Sequence, residues 1–232
     1  LGRGDGTFAE PLPLPALEGF PDPPGVCDAA DLDNNGALDL RVNYVTLEPW
    51  FRVETRVLLC NRDGTFSMQT SVPCGSFDGL PVFSAIGDLD RDGILDLATT
   101  TMFTSSIKLY RGHADGTFTN SGFLSAPNKE NGGLAGADVN GDGYDDLLVV
   151  DHNPVALGLY RNNADGTFRP RVDVSFNVSR SPLAADFNAD GRVDLVATNT
   201  FGSLWLLTGR GNGTFQAPLT LPRTVSEYDP FI

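Results

Sequence analysis

Histidine, methionine and tryptophan occur twice each in 232 residues, and cysteine three times. The two histidines, His113 and His152, fall in a turn and at a strand end. No nucleophile elbow, HExxH string or glycine-rich phosphate loop accompanies them, so catalysis finds little support. Basic residues are scarce, with 16 Lys and Arg against 30 Asp and Glu and a net charge of -14. A phosphate backbone needs a basic face, so nucleic acid is excluded as a partner. No apolar run approaches the roughly 18 residues of a membrane helix, which excludes membrane insertion by helices. No stretch carries apolar residues at helical spacing. An initiating methionine and a secretory leader are absent from the start, which reads as a mature form or a piece of a longer protein. Three cysteines cannot all pair internally. A Cys60–Cys74 bridge would flank one strand, a Cys27–Cys74 bridge is the alternative, and Cys27 otherwise reads as a buried thiol.

What is abundant is glycine, proline and a repeat. Gly (26) and Pro (16) together make up about 18% of the chain, while 41% apolar residues suffice for a core. One string recurs five times: GDGTF ending at Phe8, DGTF at Phe66, Phe118 and Phe168, and NGTF at Phe215. A second string recurs four times: DLDNNGALD from Asp31, DLDRDGILD from Asp88, DVNGDGYDD from Asp138 and DFNADGRVD from Asp186. The two alternate strictly, at intervals of 57, 50 and 48 residues for the second. A period near fifty residues marks one repeated supersecondary unit.

Within a unit the apolar residues form short runs bounded by Gly, Asp and Pro, which read as strands. The Asp-Gly pairs before Thr-Phe mark tight hairpin turns. Each unit holds four antiparallel strands, A to D, with the acidic string as the A–B turn and DGTF as the C–D turn. Such units are the blades of an all-β propeller. Small residues before each acidic string (Ala29-Ala30, Gly87, Gly136-Ala137, Ala184-Ala185) suit crowded inner strands. Leu40, Leu97, Leu147 and Leu195 should anchor strand B, and the Phe of each DGTF should plug the gap between blades. The register places a partial blade and a proline-rich connection at 1–25 and full blades at 26–75, 76–126, 127–177 and 178–232, all one repeat domain. That is four full blades plus one extra outer strand. The mid-blade start points to a piece of a larger ring, whose remaining blades would be partners.

The acidic strings fit D-x-[DN]-x-[DN]-G-x-x-D. Ca²⁺ takes six to eight hard oxygen ligands at about 2.3–2.6 Å, and a curled loop converges positions 1, 3 and 5 on one point. Gly at position 6 permits the turn. The carbonyl of position 7 adds an oxygen and Asp at position 9 closes the shell. The ligands would be Asp31, Asp33, Asn35, Ala37 and Asp39; Asp88, Asp90, Asp92, Ile94 and Asp96; Asp138, Asn140, Asp142, Tyr144 and Asp146; and Asp186, Asn188, Asp190, Arg192 and Asp194. Position 12 is Val42, Thr99, Val149 or Ala197, not the Glu of an EF-hand. Thirteen carboxylates at these positions repel one another without cations. About four structural Ca²⁺ per chain is the expectation.

The acidic strings and their spacing resemble the FG-GAP/VCBS repeat family, which includes the propeller of integrin α subunits and many bacterial surface proteins. Similar repeats occur in fungal propeller lectins and large carbohydrate-active enzymes. The literal FG-GAP string is degenerate here, as SAIGD, LAGAD and PLAAD. The resemblance implies a calcium-bearing propeller, usually of seven blades, without implying one activity.

Calcium loops and DGTF turns share one end of each blade, so ligands are expected at the opposite end or between blades. The longest B–C connection, in the first unit, carries Trp50 and Phe51, an aromatic pair suited to a sugar or peptide. Arg3-Gly4-Asp5 spells an adhesion tripeptide, but its Asp belongs to the repeat turn. Two glycosylation sequons, at Asn177 and Asn212, matter only in a eukaryotic secretory path. The expectation is a non-catalytic recognition or adhesion module for glycans or proteins, secreted or at the cell surface, where millimolar calcium suits weak loops. The alternatives are the propeller portion of a secreted carbohydrate-active enzyme such as a polysaccharide lyase, and a structural spacer.

Overall fold

A computed structural model describes residues 6–7, 26–46, 52–63, 65–68, 82–101, 105–126, 131–174 and 176–222. The orphan outer strand, the proline-rich connection, Trp50 and Phe51 lie outside them. The described residues form sixteen strands and no helix. Blade 1 is β1 (Val26–Ala30), β2 (Asp39–Thr46), β3 (Arg52–Cys60) and β4 (Phe66–Met68). Blade 2 is β5 (Val82–Gly87), β6 (Asp96–Thr101), β7 (Ser106–Gly112) and β8 (Phe118–Ser125). Blade 3 is β9 (Asn131–Ala137), β10 (Asp146–His152), β11 (Val155–Tyr160) and β12 (Val172–Val174). Blade 4 is β13 (Leu183–Ala185), β14 (Asp194–Thr198), β15 (Leu204–Leu207) and β16 (Leu219–Thr220). In every blade the strands pair in sequence order and antiparallel. This is a four-bladed β-propeller array.

Strand alternation explains the core, because successive side chains point to opposite faces of a sheet. Leu97, Leu147 and Leu195 are fully buried, and Leu40 is half-buried. Their neighbours Ala98 and Leu148 point the other way and are equally buried. Blades 2 and 3 are therefore apolar on both faces and sandwiched between their neighbours. Three turn phenylalanines fill these seams, whereas Phe66 packs on Val42 and Leu58 of its own blade: Phe118 of blade 2 packs with Leu32, Val57 and Leu59 of blade 1. Phe168 of blade 3 joins the cluster around Ala98 and Leu109 of blade 2. Phe215 of blade 4 joins Val139, Leu148 and Leu159 of blade 3.

The C–D turn owes its shape to one side-chain oxygen. Asp63 Oδ1 accepts hydrogen bonds from the backbone N–H and hydroxyl of Thr65 at 2.8 and 2.5 Å. Asp115, Asp165 and Asn212 repeat this with Thr117, Thr167 and Thr214. Only an acceptor is needed, so NGTF replaces DGTF without loss. Cys60 is half-buried and a free thiol, while Cys74, its partner in one of the two pairings the sequence allows, lies outside the described residues.

Candidate functional site

The four acidic loops fold alike. Position 1 accepts two backbone N–H groups: Asn35 and Gly36 donate to Asp31, and Asp92 and Gly93 to Asp88. Asp142 and Gly143 donate to Asp138, and Asp190 and Gly191 to Asp186. Position 3 accepts the N–H of position 5, at 3.1 Å for Asp33 and 2.9 Å for Asn188. Position 5 accepts from position 7, as Asp92 does from Ile94. The curl needs two left-handed residues. Gly36, Gly93, Gly143 and Gly191 hold φ between 81° and 86° at position 6. Position 4 is left-handed too, with Asn34, Arg91 and Ala189 at φ 56°, 60° and 59°. That costs a non-glycine residue about 1–2 kcal/mol, and it persists because the surrounding hydrogen bonds over-determine the loop. The sequence exposed the glycine but not the second left-handed position.

Position 9 does more than the sequence suggested. Asp39, Asp96, Asp146 and Asp194 are buried. Asp39 accepts from Leu32 N–H at 2.7 Å and from Cys60 N–H at 2.8 Å. Asp96 accepts from Leu89 and Gly112, and Asp194 from Phe187 and Gly209. Asp146 accepts from Asn162 N–H and from the Asn140 amide. In all four blades the residue ties the acidic loop to the end of strand C or to its own curl.

Carboxylate oxygens of Asp31, Asp33 and Asp39 lie within 4.8 Å of one another, as do those of Asp88, Asp90 and Asp96. Two oxygens bound to one Ca²⁺ are separated by at most about 5.2 Å. The donor sets of loops 1 and 2 therefore fit a hard divalent cation. Loops 3 and 4 share the curl and carry three carboxylates each, as loop 1 does, but with Asn140 and Asn188 at position 3, where loops 1 and 2 have Asp33 and Asp90. Arginines partly neutralise two loops: Arg111 Nη2 is 3.2 Å from Asp90 and 2.7 Å from Asp92, and Arg192 Nη2 is 2.8 Å from Asp190. These ion pairs are half-exposed and therefore weak, so a divalent cation can displace them. Loops 2 and 3 are joined by Arg91, which stacks on Tyr144 at 4.7 Å and donates to its hydroxyl at 2.7 Å.

Burial pushes Asp96 up to about 6, opposed by the N–H bonds of Gly112 and Leu89 and reinforced by Asp90 and Asp92. Burial likewise pushes Asp146 up to about 6, opposed by Asn162 N–H and reinforced by Asp142 and Asp138. Without metal, the folded state holds protons on these groups that the unfolded chain, titrating near 3.8, has released. That stability is present below the unfolded value and is lost as pH rises through about 6. A cation needs the carboxylates ionised, so it reverses the slope. In chelator the melting temperature should fall from pH 5 to about 7, and in excess calcium it should rise over that interval. Parallel slopes in both conditions would contradict this.

At the opposite ends of the blades the structure presents Phe201, which the sequence reading passed over. It is 90% exposed. Its turn is fixed by Asn199, whose Oδ1 accepts the N–H groups of Phe201 and Ser203, both at 2.9 Å. Its only sequence signal was an Asn-x-Phe-Gly run between two strands. The histidines are far from a relay: His113 bonds Thr119, and the His152 ring lies against Gly132.

A model of the FG-GAP-like repeat matches three times, at residues 88–149, 138–197 and 186–229. No curated protein matches the sequence significantly. Among solved structures, the chain is similar to a lectin from Agrocybe aegerita that specifically recognises non-reducing terminal N-acetylglucosamine. The TM-score is 0.51 at 14% identity, covering 84% of this chain and 65% of the lectin. A Tc holotoxin pore from Photorhabdus luminescens aligns with a TM-score of 0.46 at 20% identity, covering 90% of this chain and 10% of that one. The chain thus spans less than two thirds of either protein's length. The repeat matches cover more than half of the chain and run through three of its four blades, so the chain belongs to the FG-GAP-like repeat family.

Proposed function

We propose that this propeller is a calcium-stabilised recognition module that binds glycans or proteins outside the cell without catalysing a reaction. Residues 31–39, 88–96, 138–146 and 186–194 would hold the cations. Bound there, calcium neutralises the clustered carboxylates and locks each A–B turn. The chain's own residues position the shell: the position 9 aspartates orient the loop against strand C, and the left-handed positions 4 and 6 aim the donors inward. The observation that carries the reading is the convergence of three carboxylates within 4.8 Å in two successive loops of identical curl. Millimolar extracellular calcium suits such weak multi-site loops.

Recognition is assigned to the ends opposite these loops. Phe201 is an exposed aromatic there on a hydrogen-bonded turn, and aromatic faces supply area for sugar rings and peptide side chains. Support also comes from the family, whose members share a scaffold, and from the lectin's likeness in fold. Glycan-array binding in calcium tests the reading, with Phe201→Ser as the variant. Binding that falls at least tenfold in the variant, at unchanged melting temperature, supports it. Binding that is indifferent to Phe201 moves the site elsewhere, and the absence of glycan and protein ligands alike leaves a spacer.

A further inference from the structure

Loops 2 and 3 are tied to one another by side chains that have no counterpart in loops 1 and 4. Asn162, just past the end of β11, is 2% exposed and reaches both loops. Its N–H bonds Asp146, the position 9 aspartate of loop 3, at 2.9 Å. Its side-chain amide donates to the Leu89 carbonyl of loop 2 at 2.7 Å and to the Asp145 carbonyl of loop 3 at 3.0 Å. Leu89 lies between the ligand positions Asp88 and Asp90. The Asp145 carboxylate accepts the backbone N–H groups of Asp138 and Asp88, the first residue of each loop. Gly87 makes room for it, since a Cβ there would lie 2.5 Å from Asp145 Oδ2. The third tie is Arg91 at position 4 of loop 2, which stacks on Tyr144 at position 7 of loop 3 and donates to its hydroxyl.

The neighbouring seams are built differently. Across blades 1 and 2 the same four places hold Asn34, Ile94, Leu95 and Gly112, and across blades 3 and 4 they hold Gly141, Arg192, Val193 and Gly209. Glycine and aliphatic side chains neither donate nor accept a hydrogen bond. Gly87 is replaced by Ala30, Ala137 and Ala185. Loop 3 meets blade 4 at a C–D turn instead, where Gly213 N–H bonds the Val139 carbonyl at 2.9 Å.

We propose that loops 2 and 3 form one cooperative cation-binding unit, in which filling either site raises the affinity of the other, while loops 1 and 4 fill independently. The inference rests on the calcium reading and adds regulation to it. Each tie starts on the ligand-bearing backbone of one loop and ends on that of the other. Ordering loop 3 holds Asp146 in place, which fixes Asn162, whose amide then holds the Leu89 carbonyl between two ligand positions of loop 2. The entropy lost in ordering the seam is lost once for both sites, which couples them positively. Repulsion between like charges at the two sites opposes this, and the Asp145 carboxylate, bonded to both loops, offsets it. Asn162 and Asp145 are positioning residues, since neither stands at a ligand position.

The test titrates the full chain with calcium and follows the amide resonances of the position 6 glycines, Gly36, Gly93, Gly143 and Gly191, one for each loop. Loop 3 is disabled by Asp138→Asn and Asp142→Asn, which keep the hydrogen-bond acceptors of the curl. Loop 4 is disabled by Asp186→Asn and Asp190→Asn as the control. The expected result is a loop 2 affinity about fivefold or more weaker when loop 3 is disabled, and unchanged when loop 4 is. Disabling loop 2 by Asp88→Asn and Asp92→Asn should weaken loop 3 by the same factor, because coupling is reciprocal. The ties are then cut by Asn162→Gly, the residue of blades 2 and 4, which keeps the N–H for Asp146, together with Arg91→Asn, the residue of loop 1. This double variant should lose the coupling while loop 3, measured with loop 2 disabled, keeps its affinity within about twofold. A double variant that keeps the coupling overturns the proposal. Loops 2 and 3 that titrate independently in a chain binding its full complement of ions overturn it too, and leave the calcium reading standing. A chain in which no glycine resonance responds to calcium overturns both.

Discussion

Chelating calcium from the loaded protein is expected to lower its melting temperature by tens of degrees, or to leave it largely unfolded at 37 °C. A ligand that binds only the folded state stabilises by about 2.7 kcal/mol when present at a hundred times its dissociation constant. Four such loops would together contribute about 11 kcal/mol. Whole domains are stable by only about 5–15 kcal/mol. The thirteen ligand carboxylates then face one another without a counter-charge, apart from the weak contacts of Arg111 and Arg192. Melting curves in millimolar calcium and in chelator, at matched ionic strength, measure the difference. Magnesium should restore little of it, because it resists dehydration and demands a tighter octahedron. A shift under about 3 °C would mean that the loops are held by their own hydrogen bonds.

Asp39→Ala is expected to cost about 2–6 kcal/mol even in chelator. The substitution strands the N–H groups of Leu32 and Cys60, which Asp39 accepts at 2.7 and 2.8 Å. Each buried donor without a partner costs about 1–3 kcal/mol. Asp39 is itself fully buried, so water cannot readily take its place. Asp33→Ala makes the contrast: Asp33 accepts within its own loop, from Asn35, and in chelator its loss should cost under about 1 kcal/mol. In calcium both variants should be destabilised. Urea unfolding of each, with and without chelator, separates the two contributions. Equal costs in chelator would contradict the division between a structural position 9 and a metal-facing position 3.

The fold was legible because two turn motifs alternate at a fixed period and the residues between them form short apolar runs. The phenylalanine seams were legible as well, since Phe118, Phe168 and Phe215 sit at one register and pack as that register demands. What stayed hidden depends on contacts far apart in the chain. The position 9 aspartates read as metal ligands because their partners, Cys60, Gly112, Asn162 and Gly209, belong to another strand. Left-handed Arg91 and Ala189 carry no local mark, unlike the glycine two places on. Leu204 and Leu157 are the same residue type at the same register, and only the neighbouring blade decides that one is buried and the other is not.

Calorimetric titration of the chelated, refolded chain with calcium tests the central reading most directly. It predicts saturable binding of about four ions per chain, with the tightest sites lost in Asp31→Ala and Asp88→Ala, where three carboxylates converge. No heat of binding, or a stoichiometry unchanged by those substitutions, would contradict it and leave the acidic loops as hydrogen-bonded turns.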